Sequence, residues 1–334
     1  MQESITTVPV NELASSIPEN FTLIGCISHE DRCTSIVQNV ADHIENAIFF
    51  QNSRLKAENI DSHLNLIRKS LSKYNISPNI IPIDYAIPTY LADSFAKNIE
   101  ALSSQNASLI IDTTTFTHEA LVMLLKIIYR FRNGFKSVHC LYVGANEYSP
   151  GATPEETWLS KGCKDVHNII GFPGLLRPRA KTNLVILAGF ELERATRLIE
   201  LIEPDKLIIG NGFDPVCDNH SEKMLFFREK MEHWKTEYKY LPAHNFEFSC
   251  KDISHTVQEI RKIIQENPND NYILVPLNTK LSTIAATLVG LENSKIQLCY
   301  AVPETYNFEN YSSAGDNVTV VDLLSFDVFS KQCT

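Results

Sequence analysis

The residues with the greatest chemical capacity in this chain stand directly after short apolar runs. Ser28-His29-Glu30-Asp31-Arg32 follows Leu23–Ile27, Asp112-Thr113-Thr114-Thr115 follows Leu109–Ile111, and Asn278-Thr279-Lys280 follows Tyr272–Val275. A histidine near carboxylates has the makings of a general acid–base site, with His29 as base and Glu30 or Asp112 orienting it. Hydroxyl and main-chain N–H groups at a helix start suit an anionic oxygen, and Lys280 adds a point charge. The structural alternative is that Asn278 or Thr279 simply caps the helix Leu281–Leu291, and capping is the stronger reading for residues 112–115. The acid–Arg pairs Asp31-Arg32 and Glu193-Arg194 stand at the starts of predicted helices, where an acid complements the helix dipole. Their default place is at the surface or between domains. The functional alternative puts Arg32 or Arg194 on a phosphate.

The elements that must position these residues alternate. β-branched apolar runs at Leu23–Ile27, Ala47–Phe50, Ile80–Ile83, Leu109–Ile111 and His139–Val143 read as buried parallel strands. A second set lies at Leu184–Ala188, Lys206–Ile209, Tyr272–Val275 and Gln297–Val302. Between them are stretches of helical period. Thr117–Arg130 places Ala120, Leu121, Leu124, Leu125, Ile127 and Ile128 on one stripe, and Glu193–Ile202 behaves alike. Such alternation predicts α/β architecture with right-handed crossovers.

The chain also repeats itself. Arg32 and Arg194, 162 positions apart (194 − 32), each follow an apolar strand and an acidic turn. Thr115 and Thr279 are 164 apart (279 − 115), and Tyr148 and Tyr306 are 158 apart (306 − 148). Three similar offsets in one order predict tandem duplicated Rossmann-like three-layer domains with mostly parallel sheets. Domain one is expected over 18–150 and domain two over 181–308. The Pro- and Gly-containing stretch 151–180 reads as a linker, and 309–334 as a tail with one strand-like run, Val318–Leu323.

Ligands of parallel α/β sheets bind beyond the carboxyl ends of the strands. The turns expected there include Gly189-Phe190-Glu191 and Gly210-Asn211-Gly212-Phe213. The expected ligand-binding set is Arg32, Thr114, Thr115, Arg194, Asn211, Asn278, Thr279 and Lys280, with Tyr148 and Tyr306 to stack on bases. The two loop sets are expected to face each other over a shared cleft suited to a ligand with two similar halves. If the protein is an enzyme, His29, Glu30, Asp112 and Glu191 are the expected acid–base groups. Glu191 is the counterpart of His29, so the halves would not share that chemistry.

Composition narrows the classes. The chain has 334 residues, 44% of them hydrophobic and 21% charged, which is enough apolar content to bury two cores and excludes a mainly disordered protein. A net charge of −10 argues against a surface devoted to duplex DNA. No apolar run approaches a membrane span, and Met1-Gln2-Glu3-Ser4 lacks a signal-peptide pattern, so a cytoplasmic protein is expected. Eight cysteines without a C-x-x-C pair read as buried free thiols of a reducing compartment. No zinc spacing, phosphate loop, nucleophile elbow or complete G-x-G-x-x-G occurs, so neither metal nor cofactor is expected. Gly210-Asn211-Gly212 begins the last motif, but Pro215 takes its final glycine position.

The strand, the polar turn Asn278-Thr279-Lys280 and the apolar helix after it resemble the ligand loop of CRISPR-associated Rossmann-fold (CARF/SAVED-like) sensor domains. Domain one departs from that pattern, with Thr114-Thr115-Phe116 where the basic residue would be. The resemblance implies cyclic-oligonucleotide binding, bacterial antiviral defence and a protein partner or a second copy, because no effector module follows domain two. Three readings therefore stand: a sensor of a nucleotide or nucleotide-derived signal, a hydrolase or transferase acting on a nucleotide or sugar-nucleotide, and a structural subunit whose acidic surface meets a basic partner.

Overall fold

The computed structural model describes residues 4–54, 59–149, 158–189, 193–219, 236, 238–308 and 311–330. The first strands are β1 (Ile5–Pro9), β2 (Phe21–Ile27), β3 (Ile44–Asn52), β4 (Asn79–Ile83), β5 (Ser108–Asp112) and β6 (Ser137–Tyr148). After them come β7 (Ser160–Lys161), β8 (Asp165–Pro173), β9 (Thr182–Ala188), β10 (Lys206–Gly212) and β11 (Ala243–Phe248). The last are β12 (Asn271–Pro276), β13 (Gln297–Val302), β14 (Thr305–Tyr306) and β15 (Ser312–Asp322). Helices α1 (Ser35–Val40), α2 (Ile60–Ser72), α3 (Pro88–Ser103) and α4 (His118–Phe131) belong to the first half. Helices α5 (Glu193–Ile202), α6 (Ile253–Glu266) and α7 (Lys280–Glu292) belong to the second.

The chain folds as two Rossmann-like α/β units. The first comprises residues 1–146 and 312–334, the second 147–311. In the first sheet the order is β1-β15-β6-β5-β2-β3-β4, and in the second β11-β10-β9-β12-β13-β8. Strands β4, β3, β2, β5 and β6 pair parallel, as do β11, β10, β9, β12 and β13. Each unit therefore lays its parallel strands in the order third-second-first-fourth-fifth. The direction of winding reverses between first and fourth strands, at β2/β5 and at β9/β12. Right-handed crossovers running opposite ways from that point place helices on both sheet faces.

Burial follows from the sequence pattern. Every residue of β2, β5 and β12 is buried, as expected of strands covered on both faces. Helix α4 starts where Thr117 accepts a hydrogen bond from Ala120 N, and it buries Ala120, Leu121, Leu124, Leu125 and Ile128. Helix α7 is apolar nearly all round, and its residues 281–290 are buried.

The expected ends of the domains differ from the compact units. Residues 165–173, read as linker, form an edge strand antiparallel to β13. The expected tail supplies β15, which lies beside β6, pairs antiparallel with β1 and buries Val318 and Val321 in the first core. Pro and Gly misled the reading of 165–173, since edge strands tolerate both. Strand β11 was missed because AHNFEF is largely polar and exposed at the other edge.

In the first unit Phe95 is fully buried, its ring edge-on to Phe50 at 4.7 Å and to Phe116 at 6.1 Å. Phe95→Ala should destabilise that unit by about 3–5 kcal/mol, read as an earlier unfolding transition in urea.

Candidate functional site

The carboxyl ends of β2, β5 and β6 hold a buried polar cluster. Glu30 and Arg32 flank a tight turn and point the same way. The Arg32 Nε and Nη2 both donate to Glu30 Oε2, at 3.1 and 2.5 Å, while Nη1 donates to the Val143 carbonyl at 3.0 Å. The Ser312 hydroxyl, at the start of β15, donates to the same carboxylate oxygen at 2.8 Å. Burial opposes ionisation of Glu30, but the charge and hydrogen bonds of Arg32, aided by Ser312, hold its pKa below the ordinary value. Arg32 thus pairs with Glu30 and not with its neighbour Asp31, whose exposed carboxylate meets His63 Nε2 at 2.9 Å.

Asp112, at the end of β5, is also buried. Desolvation pushes its pKa up to about 6, against the hydrogen bonds from Thr114 and the nearby Arg32 charge. His29 has its pKa lowered, first by burial, so it is a neutral imidazole at pH 7; its Nδ1 lies 3.3 Å from Ser28 Oγ. The Asn59 amide donates to the His29 carbonyl. The neighbouring hydroxyls also serve main chain. Thr113 donates to Leu141 O, Thr114 accepts from Val143 N, and Thr115 donates to Cys26 O.

In the second unit, Arg194 is likewise buried and its Nη1 lies 3.4 Å from the Ala301 carbonyl, on the fifth strand as Val143 is in the first unit. The surface placement expected for both arginines is therefore corrected: their guanidinium groups serve main-chain carbonyls inside the fold. Glu193, the acid beside Arg194, instead accepts from Gly162 N.

Asn278 donates to Ala188 O at 2.6 Å and accepts from Thr279 N, and the Thr279 hydroxyl donates to Cys250 O while capping α7 at Ser282 N. Lys280, half-buried, is the first residue of that helix. Two glycines let these turns converge. A Cβ on Gly189 would sit 2.3 Å from the Leu277 carbonyl oxygen. One on Gly212 would sit 2.1 Å from Cys250 Sγ and 3.5 Å from Asn278 Nδ2. The ends of β9, β10 and β12 and the turn after β11 therefore pack closely around Asn278.

The other expected residues lie apart from this convergence or beside it. Asn211 is half-buried within β10. Tyr306, in the small β14/β7 sheet, has its hydroxyl 3.3 Å from that of Tyr300 and its ring near Phe308 and Tyr311. The main chain of Tyr148 is bridged by the Asn219 amide. Glu191 lies outside the described residues. Sequence reasoning missed Ser312, which lies 282 positions from Glu30 and carries no local signal. It also gave no weight to Gly189 and Gly212 as points of close approach. Among the described residues no cluster of His, Cys, Asp or Glu is arranged to hold a metal, and the seven described cysteines are free. No described helix is long and apolar enough to cross a membrane.

Removing one partner of a buried ion pair leaves the other charge unmatched, so Arg32→Met should cost about 3–5 kcal/mol, with part recovered in the Glu30→Gln, Arg32→Met double variant. Denaturant unfolding of the four proteins measures the coupling. Asp112 titrates at its ordinary 3.8 when unfolded and near 6 in the fold, so the fold holds the extra proton between these values. Stability falls as pH rises through that window, and the loss is complete above about pH 6. Asp112→Asn should therefore be more stable than wild type at pH 7.5, by on the order of 3 kcal/mol, with the gain shrinking towards pH 4. Urea titrations across that range check the sign.

No protein-family model and no curated protein matches this sequence. Among solved structures, a universal stress protein from Archaeoglobus fulgidus DSM 4304 is similar at 9% identity, over 85% of this chain and 97% of that one, with a TM-score of 0.24. The lipopolysaccharide outer core galactosyltransferase WaaB, in its apo form, is similar at 10% identity, over 83% and 92%, with a TM-score of 0.25. The NADH-dependent reductase A1-R′ complexed with NAD follows at 8% identity, over 85% and 96%, with a TM-score of 0.21. At these scores the likeness carries nothing about the activity of this chain.

Proposed function

We propose that the protein binds a nucleotide or a nucleotide-derived signal at the carboxyl edge of its second unit, as a sensor or partner subunit. The supporting observation is the convergence at Asn278. Two glycines bring the strand ends within van der Waals reach there, next to the N-terminus of the 13-residue helix α7 with Lys280 at its first position. Main-chain N–H groups at a helix start, joined by an ammonium, favour a phosphate. Asn278 and Thr279 shape this floor rather than reach for ligand, since their polar atoms already serve Ala188, Cys250 and α7. A role in bacterial antiviral defence, with a cyclic oligonucleotide as the signal, extends this reading and rests on the resemblance of Asn278-Thr279-Lys280.

Calorimetric titration with mononucleotides and cyclic oligonucleotides tests the proposal. At least one should bind, and Lys280→Ala should weaken it about tenfold, the loss of one charge-assisted hydrogen bond. Binding unchanged in Lys280→Ala would count against the site.

One observation favours an enzymatic reading in the first unit. Asp112, poised near pH 6, and neutral His29 both sit at the β2/β5 winding reversal. There Asp112 and His29 would exchange protons with a nucleotide or sugar-nucleotide, while Glu30 stays bound to Arg32 as a positioning residue. Nucleotide turnover lost in His29→Ala or Asp112→Ala, with folding intact, would establish that reading.

A further inference from the structure

Phe213 stands directly after β10 and is 52% exposed. Several other large apolar side chains of the second unit are exposed, among them Leu175, Leu201 and Tyr240, but these lie on an edge segment, a helix end and the turn before β11. Phe213 differs by its place. It follows Gly212, whose main chain borders Asn278, so it borders the convergence described above. Its backbone is pinned by a hydrogen bond from its N–H to Phe248 O at 3.1 Å. Its ring is braced edge-to-face by His255 at 5.3 Å and 79°. His255 is itself fixed by the Asp252 cap at the start of α6, and its Nδ1 is buried without a hydrogen-bond partner among the described residues. The next residue, Asp214, is committed to Ser249 Oγ and Cys250 N, which locks the turn carrying Phe213. A braced aromatic ring with half its surface in water, beside the converging strand ends, is a poor packing element and a good stacking platform.

Resting on the nucleotide-binding reading, we propose that Phe213 is the base-stacking residue of the second unit, so that the site takes a nucleotide by its base as well as by its phosphate. Adjacent strands lie about 4.8 Å apart, so the ends of β10 and β12, which flank β9, are about 10 Å apart. That separation spans the ribose between a base on Phe213 and a phosphate at the start of α7. The ring has no hydrogen-bonding group, so stacking selects for a flat aromatic base without reading its edge. Tyr148 and Tyr306, expected from the sequence to stack, are placed in other contacts.

The test is titration of the full chain with AMP, ATP and cyclic di-adenylate, using ribose 5-phosphate as the base-free control. Phe213→Ala, a surface change that leaves the thermal melt in place, should weaken the nucleotides about tenfold or more and leave ribose 5-phosphate unchanged. Phe213→Trp should keep the affinity, and its indole fluorescence should be quenched as nucleotide is added. Full-strength nucleotide binding by Phe213→Ala, together with a loss in Lys280→Ala, would overturn the stacking role and leave the site reading standing. Equal affinity of wild type for AMP and ribose 5-phosphate would do the same. Failure of every probe to bind wild type would remove both.

Discussion

A parallel strand buried on both faces ends in main-chain carbonyls that lie deep in the fold, where an unsatisfied acceptor is expensive. Both units meet this constraint with side-chain donors from neighbouring turns. In the first, Thr115 serves Cys26, Thr113 serves Leu141 and Arg32 serves Val143. In the second, Asn278 serves Ala188, Thr279 serves Cys250 and Arg194 serves Ala301. The polar residues that recur after each apolar run are thus first a requirement of the sheet. Their availability to a ligand is what remains after the carbonyls are served.

That ordering separates two acids with nearly the same surroundings. Glu30 and Asp112 are both buried and both feel Arg32, yet their pKa values move in opposite directions. Glu30 touches the guanidinium twice and also takes a bond from Ser312, so direct contact outweighs the burial that resists its charge. Asp112 has its bonds from Thr114 and feels Arg32 only at a distance, so desolvation prevails. Holding a carboxyl near pH 6 inside a core destabilises the fold at neutral pH. Glu30, by contrast, has the environment of a structural brace.

Much of the fold is legible in the residues. The central strands announce themselves as β-branched runs because burial on both faces demands them, and the 162- and 164-residue offsets mark the repeat because each unit must solve the same strand-end problem. The helix start at Thr279 is legible because capping chemistry is local, whereas the cap expected among residues 112–115 is supplied by Thr117. The edges are not. Strands β8 and β11 lie at the margins of their sheet, where one side faces water and the apolar signal thins. The candidate site is half legible: His29, Glu30, Arg32 and Asp112 do assemble, but who pairs with whom depends on distance in space. Adjacent Asp31 and Arg32 point apart as neighbours must, but only the turn in space directs Arg32 to Glu30 and Asp31 to His63. Ser312 joins only because β15 returns from the far end of the chain.

The repeated fold does not carry repeated chemistry. The position of Asp112 in the first unit corresponds to Pro276 in the second, so the buried acid beside the winding reversal has no equivalent at that strand end. There the second unit has Gly189 and Gly212, whose missing side chains let the Leu277 carbonyl and Cys250 Sγ approach closely. The first unit's counterparts by strand register are Ile27, buried in β2, and Gln51, half-buried in β3. One strand-end cluster is therefore built from ionisable side chains, Glu30 and Arg32 paired among them, and the other from closely packed turns beside a helix start and an exposed ring. A pair of related units can hold both only because the shared requirement, serving the buried carbonyls, leaves the remaining positions free to diverge.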